Sequence, residues 1–447
     1  MNYRKPRHFS SLGRDVLRLN FEIPGRGDRR YKLYLVLFVL GILATTVEVI
    51  RIYLKHSLWG IWDFPVAMYY AEIVMRGGEL YSLDPASYVP SVTYSHPPLS
   101  LALLVIAIKL NFSWETLSIF VSFGHVLCFV ASIFFCWFGS RFEKSWVSFF
   151  AVFFSALLMM PLMEYNLMAL LLEPLLLLLF CLSLFFCSTN RQFLSGFFMG
   201  IGAALKIYPA IFGAYYLSTK RWSAIAGMAL SFALCLVFSI YVFGAKENFA
   251  YFFVGLPKML EWGPHLFFYE NISLASYALY FKVFSPEQAK VFGRILFIIF
   301  FVASLFPSFM QRERGGGSVA LDYACLTSLL ILCMPNSWWN YQIHLSVSAW
   351  VVAVFIARQE RVPWFLLAVF VSALLVLALT AILASDRPGV DYFVRMDDLT
   401  RMVYIVLRGL PNLLLFALPL TIRWGVFLNK LDVKGIAPQQ LTPPPIF

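Results

Sequence analysis

Charge is what this chain has least of. Of 447 residues only 13% are Asp, Glu, Lys or Arg, while 60% are hydrophobic. Ordinary globular chains are about half apolar and about a quarter charged, so a water-soluble fold is excluded. Segments of strict polar–apolar alternation are missing as well, which removes a transmembrane β-barrel. The seven cysteines, at 128, 136, 181, 187, 235, 325 and 333, sit in or beside apolar stretches. They have neither metal-ligand spacing nor the look of a disulfide framework, and read as small buried hydrophobes. No glycine fingerprint for a nucleotide stands between a strand and a helix. No cleavable signal is visible: a basic leader, with Arg4, Lys5, Arg7, Arg14, Arg18, Arg26, Arg29, Arg30 and Lys32, precedes an apolar run too long for a signal sequence. The net charge of +11 never gathers on a soluble module, so no nucleic-acid partner is expected.

What is present is a series of apolar runs long enough to cross a hydrocarbon core of roughly 30 Å. The expected fold is all-α, a polytopic transmembrane bundle of about 12 spans. They fall near 31–54, 97–110, 115–138, 146–162, 167–187, 193–217, 222–244, 288–311, 318–334, 341–357, 363–384 and 403–422. The positive-inside rule orients them. With the basic tail 1–30 in the cytoplasm, Lys109, Lys220, Arg221, Arg312, Arg314, Arg358, Arg361 and the tail 423–447 fall on the same side. The transmembrane domain is then 31–422, and its polar connections 55–96, 245–287, 335–342 and 385–402 all reach the non-cytoplasmic face. Long loops are more often functional than idle, so chemistry is expected there.

In the first outer loop Asp63 opens a helix-like stretch, Pro65 suits an early helical position, and Gly77-Gly78 ends it. An aspartate here is explained by helix capping alone. The functional alternative is a carboxylate held at the lipid–water boundary among Trp59, Trp62 and Phe64, placed to act as a general base on a lipid-borne substrate. His96, before Pro97-Pro98, is either a solvated turn histidine or a donor to phosphate. Lys206 falls within the sixth span, and an intramembrane charge is a functional candidate by default. Glu173 in the fifth span lies equally far from the intervening "STNR" turn, so a structural ion pair competes with phosphate binding. "HLFFYENISLASY" offers His265, Glu270, Asn271 and Ser273, with a short N-x-S sequon at Asn271. "PNSWWNYQIHL" offers Ser337, Trp338, Trp339, Asn340 and Tyr341, either an interfacial aromatic belt or the lining of a sugar site. Asp397-Asp398 is one acidic pair without partners and reads as a solvated face; no metal cage and no cofactor are expected.

In order, "WDFPVAMYYAEIVMRGGELY", "YSHPPL", "GIGAALKIYPAIF", "ENISLASY" and "NSWWNYQIHL" resemble the motifs of glycosyltransferase family 87, whose fold is the C type of membrane glycosyltransferases. Its best-known members are bacterial lipid-linked mannosyltransferases. The resemblance runs over roughly residues 60–345. It implies Asp63 as general base, a polyprenyl-phosphate sugar as donor, a glycolipid or glycan acceptor, and a site facing away from the cytoplasm, here of a bacterial inner membrane. Lys206, Tyr208, Asn271, Ser273, Ser337 and Trp338 match its pattern. His96 stands where many members have Tyr, Asn340 and Tyr341 where a histidine is common, and Glu164 where a glutamine is common. The expected reaction is an inverting one-step hexosyl transfer with His96, Lys206, Tyr208, Asn271, Ser273, Ser337, Trp338 and Asn340 contacting donor phosphate or substrate. Two other classes remain open. One is a lipid or solute transporter, which the intramembrane charges would suit; the other is a polysaccharide ligase or polymerase that uses a lipid-linked donor.

Overall fold

Among the described residues the regular elements are all helices, in a computed structural model that describes residues 63–81, 96–140, 146–169, 172–260, 271–310, 316–334, 337, 339–359, 364–385 and 397–428. In chain order they begin with α1 (Asp63–Met75), α2 (Ala102–Lys109), α3 (Trp114–Gly139), α4 (Trp146–Ala169), α5 (Glu173–Ser188), α6 (Gln192–Leu205) and α7 (Ile211–Ser218). There follow α8 (Trp222–Ala250), α9 (Leu256–Leu260), α10 (Leu274–Tyr280), α11 (Pro286–Met310), α12 (Gly316–Cys333), α13 (Leu345–Arg358), α14 (Trp364–Ser385) and α15 (Asp398–Phe427). Six of the described helices are long and apolar enough to cross a bilayer, and five shorter apolar helices lie among them. The protein is a multi-pass helical membrane protein. The expected first span, 31–54, lies outside the described residues.

At the centre stands α13, buried along Leu345–Ile356 and packed by α4, α12 and α15. Helix α3 lies against α5, α4 against α14, and α11 against α12. Two polar clusters inside this bundle pair their groups with one another, as an apolar solvent favours. The Arg423 guanidinium donates to Asp322 Oδ1 at 2.6 Å and to Ser308 Oγ at 3.2 Å. The hydroxyls of Ser183, Ser195, Tyr216 and Tyr323 close on one another at 2.7–3.1 Å.

One span and one loop differ from the sequence reading. The sixth, expected as one helix over 193–217, is broken: α6 ends at Leu205, Lys206 is extended (φ −145°, ψ 134°), and a 3-10 turn over Tyr208–Ala210 leads into α7. Pro209 supplies no backbone N–H, and Lys206 leaves the helix toward a buried carboxylate partner. The expected loop at 245–287 also begins as helix. Gly244 takes φ 83°, open mainly to glycine, and bends α8, after which a π-helical turn Tyr251–Gly255 and α9 carry the chain to Leu260.

The turns α5–α6 and α7–α8 are copies of each other. Asn190 and Lys220 are both left-handed (φ 60° and 54°), and the amides of Arg191 and Arg221 donate back to Phe186 O and Tyr216 O, each at 2.8 Å. Helices α6 and α8 therefore start at one end of the bundle and advance together, Gly196 facing Ala224 and Gly200 facing Met228. A Cβ on Gly196 would lie 1.7 Å from the Ala224 carbonyl oxygen, so the backbones touch as small-residue membrane helices do. Because that obstacle is backbone, Gly196→Ala should separate α6 from α8 at a cost of roughly 1–3 kcal/mol or more. The check is a lowered thermal transition of the detergent-purified protein.

Candidate functional site

The end of the bundle opposite those twin turns collects most of the residues singled out in the sequence. It is reached through α1. Gly77 (φ 77°) stops this helix as expected, and the chain then docks on α8, where Glu247 Oε2 accepts from the amides of Leu80 (2.9 Å) and Tyr81 (3.3 Å). The Tyr81 hydroxyl donates to the carbonyl of His96, and its ring packs on Tyr251 with centroids 5.5 Å apart. A second hydrophobic cluster seals this corner: Ala71 and Tyr81 from the α1 segment, Leu99 and Leu101 from the Pro98–Leu101 turn, Ala204 from α6, Phe243 from α8 and Val254 from the π-helical turn after it. Backbone placement thus puts Asp63, the first residue of α1, on a helix packed against α2 and against the turn that carries His96. His96 is partly exposed, yet the protein around it pushes its imidazole well below the usual histidine range, with the Lys206 charge as a second cause. It is neutral at neutral pH.

Lys206 is buried, and its Nζ donates to Glu173 Oε1, the first residue of α5. The ion pair suggested by their equal distances from the "STNR" turn is present. Nζ also lies 4.1 Å from the centroid of the Tyr341 ring. Tyr341 packs on Tyr208 (centroids 5.8 Å apart), and the Tyr208 hydroxyl shares a 2.7 Å hydrogen bond with His344 Nε2. Phe180 stacks on Tyr208 and meets His344 edge-on at 5.3 Å. From α4, Asn166 Nδ2 donates to the carbonyls of Leu162 (2.9 Å) and Asn340 (3.2 Å). A chain of contacts thus links Glu173, Lys206, Tyr341, Tyr208 and His344, with Asn166 bonded to the carbonyl next to Tyr341.

Other candidates reach this end with their side chains engaged in holding loops. Asn271 is buried and its Oδ1 accepts from the Ser273 amide at 3.0 Å; Ser273 caps α10 by accepting from the Ser276 amide at 3.3 Å. Ser337 donates to Ile331 O, and its own carbonyl accepts from the Ile272 amide at 2.8 Å, stitching the α10 loop to the turn before α13. Asp397 is the N-cap of α15: its Oδ1 accepts from the Thr400 amide at 2.9 Å, and these Thr400 bonds hold its carboxyl below the usual range. The sequence pattern alone left Asp397 as a solvated acid. Trp338, His265 and Glu270 lie outside the described residues.

Sequence reasoning missed Asn166, Glu247 and His344. A signal existed for His344, which lies four residues beyond Asn340 in the same "NYQIHL" motif. It stands a few residues past positions 340 and 341, where the resemblance leads one to expect a histidine. Glu247 and Asn166 have no such signal, because Leu80 and Tyr81, the partners of Glu247, and Asn340, one of the two partners of Asn166, are distant in sequence.

The model of a family described as "Glycosyltransferase family 87" matches residues 94–335, more than half of the 447-residue chain. That range contains His96, Asn166, Glu173, Lys206, Tyr208, Asn271 and Ser273; Asp63 precedes it, and Ser337, Asn340 and His344 follow it. A curated relative is the polyprenol-phosphate-mannose-dependent alpha-(1-2)-phosphatidylinositol pentamannoside mannosyltransferase of Mycolicibacterium smegmatis. It is 38% identical over 159 residues, which cover 35% of this chain and 37% of the relative. With its motifs in order and more than half its length matched, the chain belongs to glycosyltransferase family 87.

Proposed function

We propose that this protein moves a hexose, mannose or a close relative, from a polyprenyl-phosphate donor to a lipid- or glycan-linked acceptor, with inversion and with Asp63 as general base. The observation that carries the reading is convergence. The helix opened by Asp63, the His96 turn and the Lys206 break are fastened to one another at one end of a membrane bundle whose family transfers sugars. The basic residues Arg191, Lys220, Arg221 and Arg358 mark the opposite end, which the positive-inside rule puts in the cytoplasm together with both termini. The site then faces outward from a bacterial inner membrane.

In this mechanism Asp63 takes the proton of the acceptor hydroxyl as that oxygen bonds to the anomeric carbon. The anomeric C–O bond to phosphate breaks, and polyprenyl phosphate departs as an anion that needs no proton. Lys206 holds three N–H donors, and its bonds to Glu173 and to the Tyr341 hydroxyl engage two of them. The third can meet a phosphate oxygen, beside an N–H of His96. Donors fixed in place before charge develops are each worth about 3 kcal/mol of barrier. Apolar grooves between helices would receive the prenyl chain, so donor is gathered from the bilayer.

The direct test is to incubate membranes containing the protein with radiolabelled polyprenyl-phosphate mannose and to search for a new glycosidic product. Product in proportion to enzyme supports the reading. Label crossing the membrane without bond formation would instead support a transporter.

Positioning of α1 gives a second test. Glu247 is the acceptor for two backbone amides that would otherwise be buried without partners. Glu247→Ala should let the α1 end drift, and misplacement of about 1 Å costs up to roughly 100-fold in rate. Turnover should fall while donor KM changes little. Glu247→Gln, whose amide oxygen still accepts, should keep most of the activity.

A further inference from the structure

The Lys206 corner carries three buried polar atoms that find no hydrogen-bond partner among the described residues: Glu173 Oε2, Asn166 Oδ1 and His344 Nδ1. Buried polar atoms usually find a partner, so these three call for one. The group is connected by the contacts already given: Glu173 to Lys206, Lys206 to the Tyr341 face, Tyr341 to Tyr208, Tyr208 to His344, and Asn166 to the carbonyl next to Tyr341. Their chemistry selects the missing partner. A carboxylate oxygen and a carboxamide oxygen can only accept, and would repel phosphate oxygens. The imidazole Nδ1 donates or accepts according to the tautomer fixed by the Tyr208 bond. What satisfies two acceptors and one ambivalent nitrogen is a set of hydroxyl groups.

We infer that Asn166, Glu173 and His344 form the subsite that reads the hydroxyl groups of the transferred hexose, with phosphate held on the His96 side of Lys206. This inference rests on the transferase reading for the identity of its ligand, and it assigns the recognition of the sugar to residues on α4, α5 and the start of α13. Glu173 then has two tasks: Oε1 neutralises Lys206 while Oε2 accepts from the sugar.

The test uses the full chain in lipid nanodiscs and compares binding of a short-chain polyprenyl-phosphate mannose with that of the same polyprenyl phosphate lacking sugar. Wild type should bind the mannosyl lipid more tightly. His344→Gln places an amide where Nε2 was, keeping the contact to Tyr208 but losing the Nδ1 position; His344→Asn does the reverse. His344→Gln and Asn166→Leu should each reduce the preference for the mannosyl lipid about tenfold or more and leave affinity for the bare phosphate unchanged, and His344→Asn should restore part of the preference. Equal weakening of both ligands would mean that these atoms only support the fold or hold a water, and would overturn the subsite. So would a wild type that binds both lipids alike. Sugar-dependent binding lost in the variants, in a protein that forms no glycosidic product, would keep the subsite and discard the transferase.

Discussion

Asp63→Asn should abolish sugar transfer while leaving the protein inserted and able to bind donor. A positioned base contributes about 10²- to 10⁴-fold, equivalent to roughly 3–5 kcal/mol at 1.36 kcal/mol per tenfold. The structural cost of the same change is far smaller. Asp63 is the first residue of α1, where a carboxylate interacts favourably with the helix dipole by about 0.3–1 kcal/mol. Asparagine is a good residue at a helix start too, so the helix end is preserved. The two effects therefore separate cleanly by size. Purified Asp63→Asn protein should show an unchanged donor dissociation constant, a thermal transition close to wild type, and a turnover lower by two orders of magnitude or more. Asp63→Glu should recover part of the rate, because the carboxylate returns with a longer reach. Near-normal turnover by the asparagine variant would remove Asp63 from the chemistry, whatever its place in the fold.

What could be read from sequence follows from how local each signal is. Proline, glycine and a charge in a greasy context are local, so α1, its stop at Gly77 and the candidacy of Lys206 were all visible. Symmetry about a short turn is nearly local, and it found Glu173 opposite Lys206. At Lys206 the sequence signals only a local loosening, from Pro209; residues on both sides are equally apolar, and periodicity cannot distinguish a continuous helix from two joined by an extended residue. The helical start of the 245–287 loop was hidden for a related reason: Lys246, Glu247 and Asn248 read as polar loop, yet Glu247 turns inward to accept backbone amides and Asn248 bonds Ser239 at 2.7 Å. His344 stayed in the background because its partner Tyr208 is 136 positions away. Asn271, Ser273 and Ser337 were found as motif residues, but sequence could not reveal that their side chains cap and stitch loops. Such residues fix the shape of a site as surely as those that touch its ligand.

Lys206 and Glu173 should show a large non-additivity that separates folding from phosphate binding. Both side chains are buried, and they form an ion pair. Removing one member of such a pair strands the other charge in a medium that cannot solvate it, at about 3–5 kcal/mol; replacing both with apolar side chains is often neutral or even stabilising by about 1–4 kcal/mol. Lys206→Met alone should therefore lower the thermal transition sharply, and the double variant Lys206→Met with Glu173→Met should return it to near or above wild type. Transfer is a poor readout of the double variant, since Glu173 is also assigned to the sugar. Binding of sugar-free polyprenyl phosphate isolates the cation. If Lys206 serves only the fold, the refolded double variant binds that phosphate as wild type does. If Lys206 meets the phosphate, stability comes back and phosphate affinity does not, since a charge-assisted donor is gone from a site with little water to replace it. The second outcome is the one expected here. A lysine needed only to neutralise Glu173 would leave the pair replaceable by two apolar residues, and the aromatic face of Tyr341 under Nζ would hold nothing.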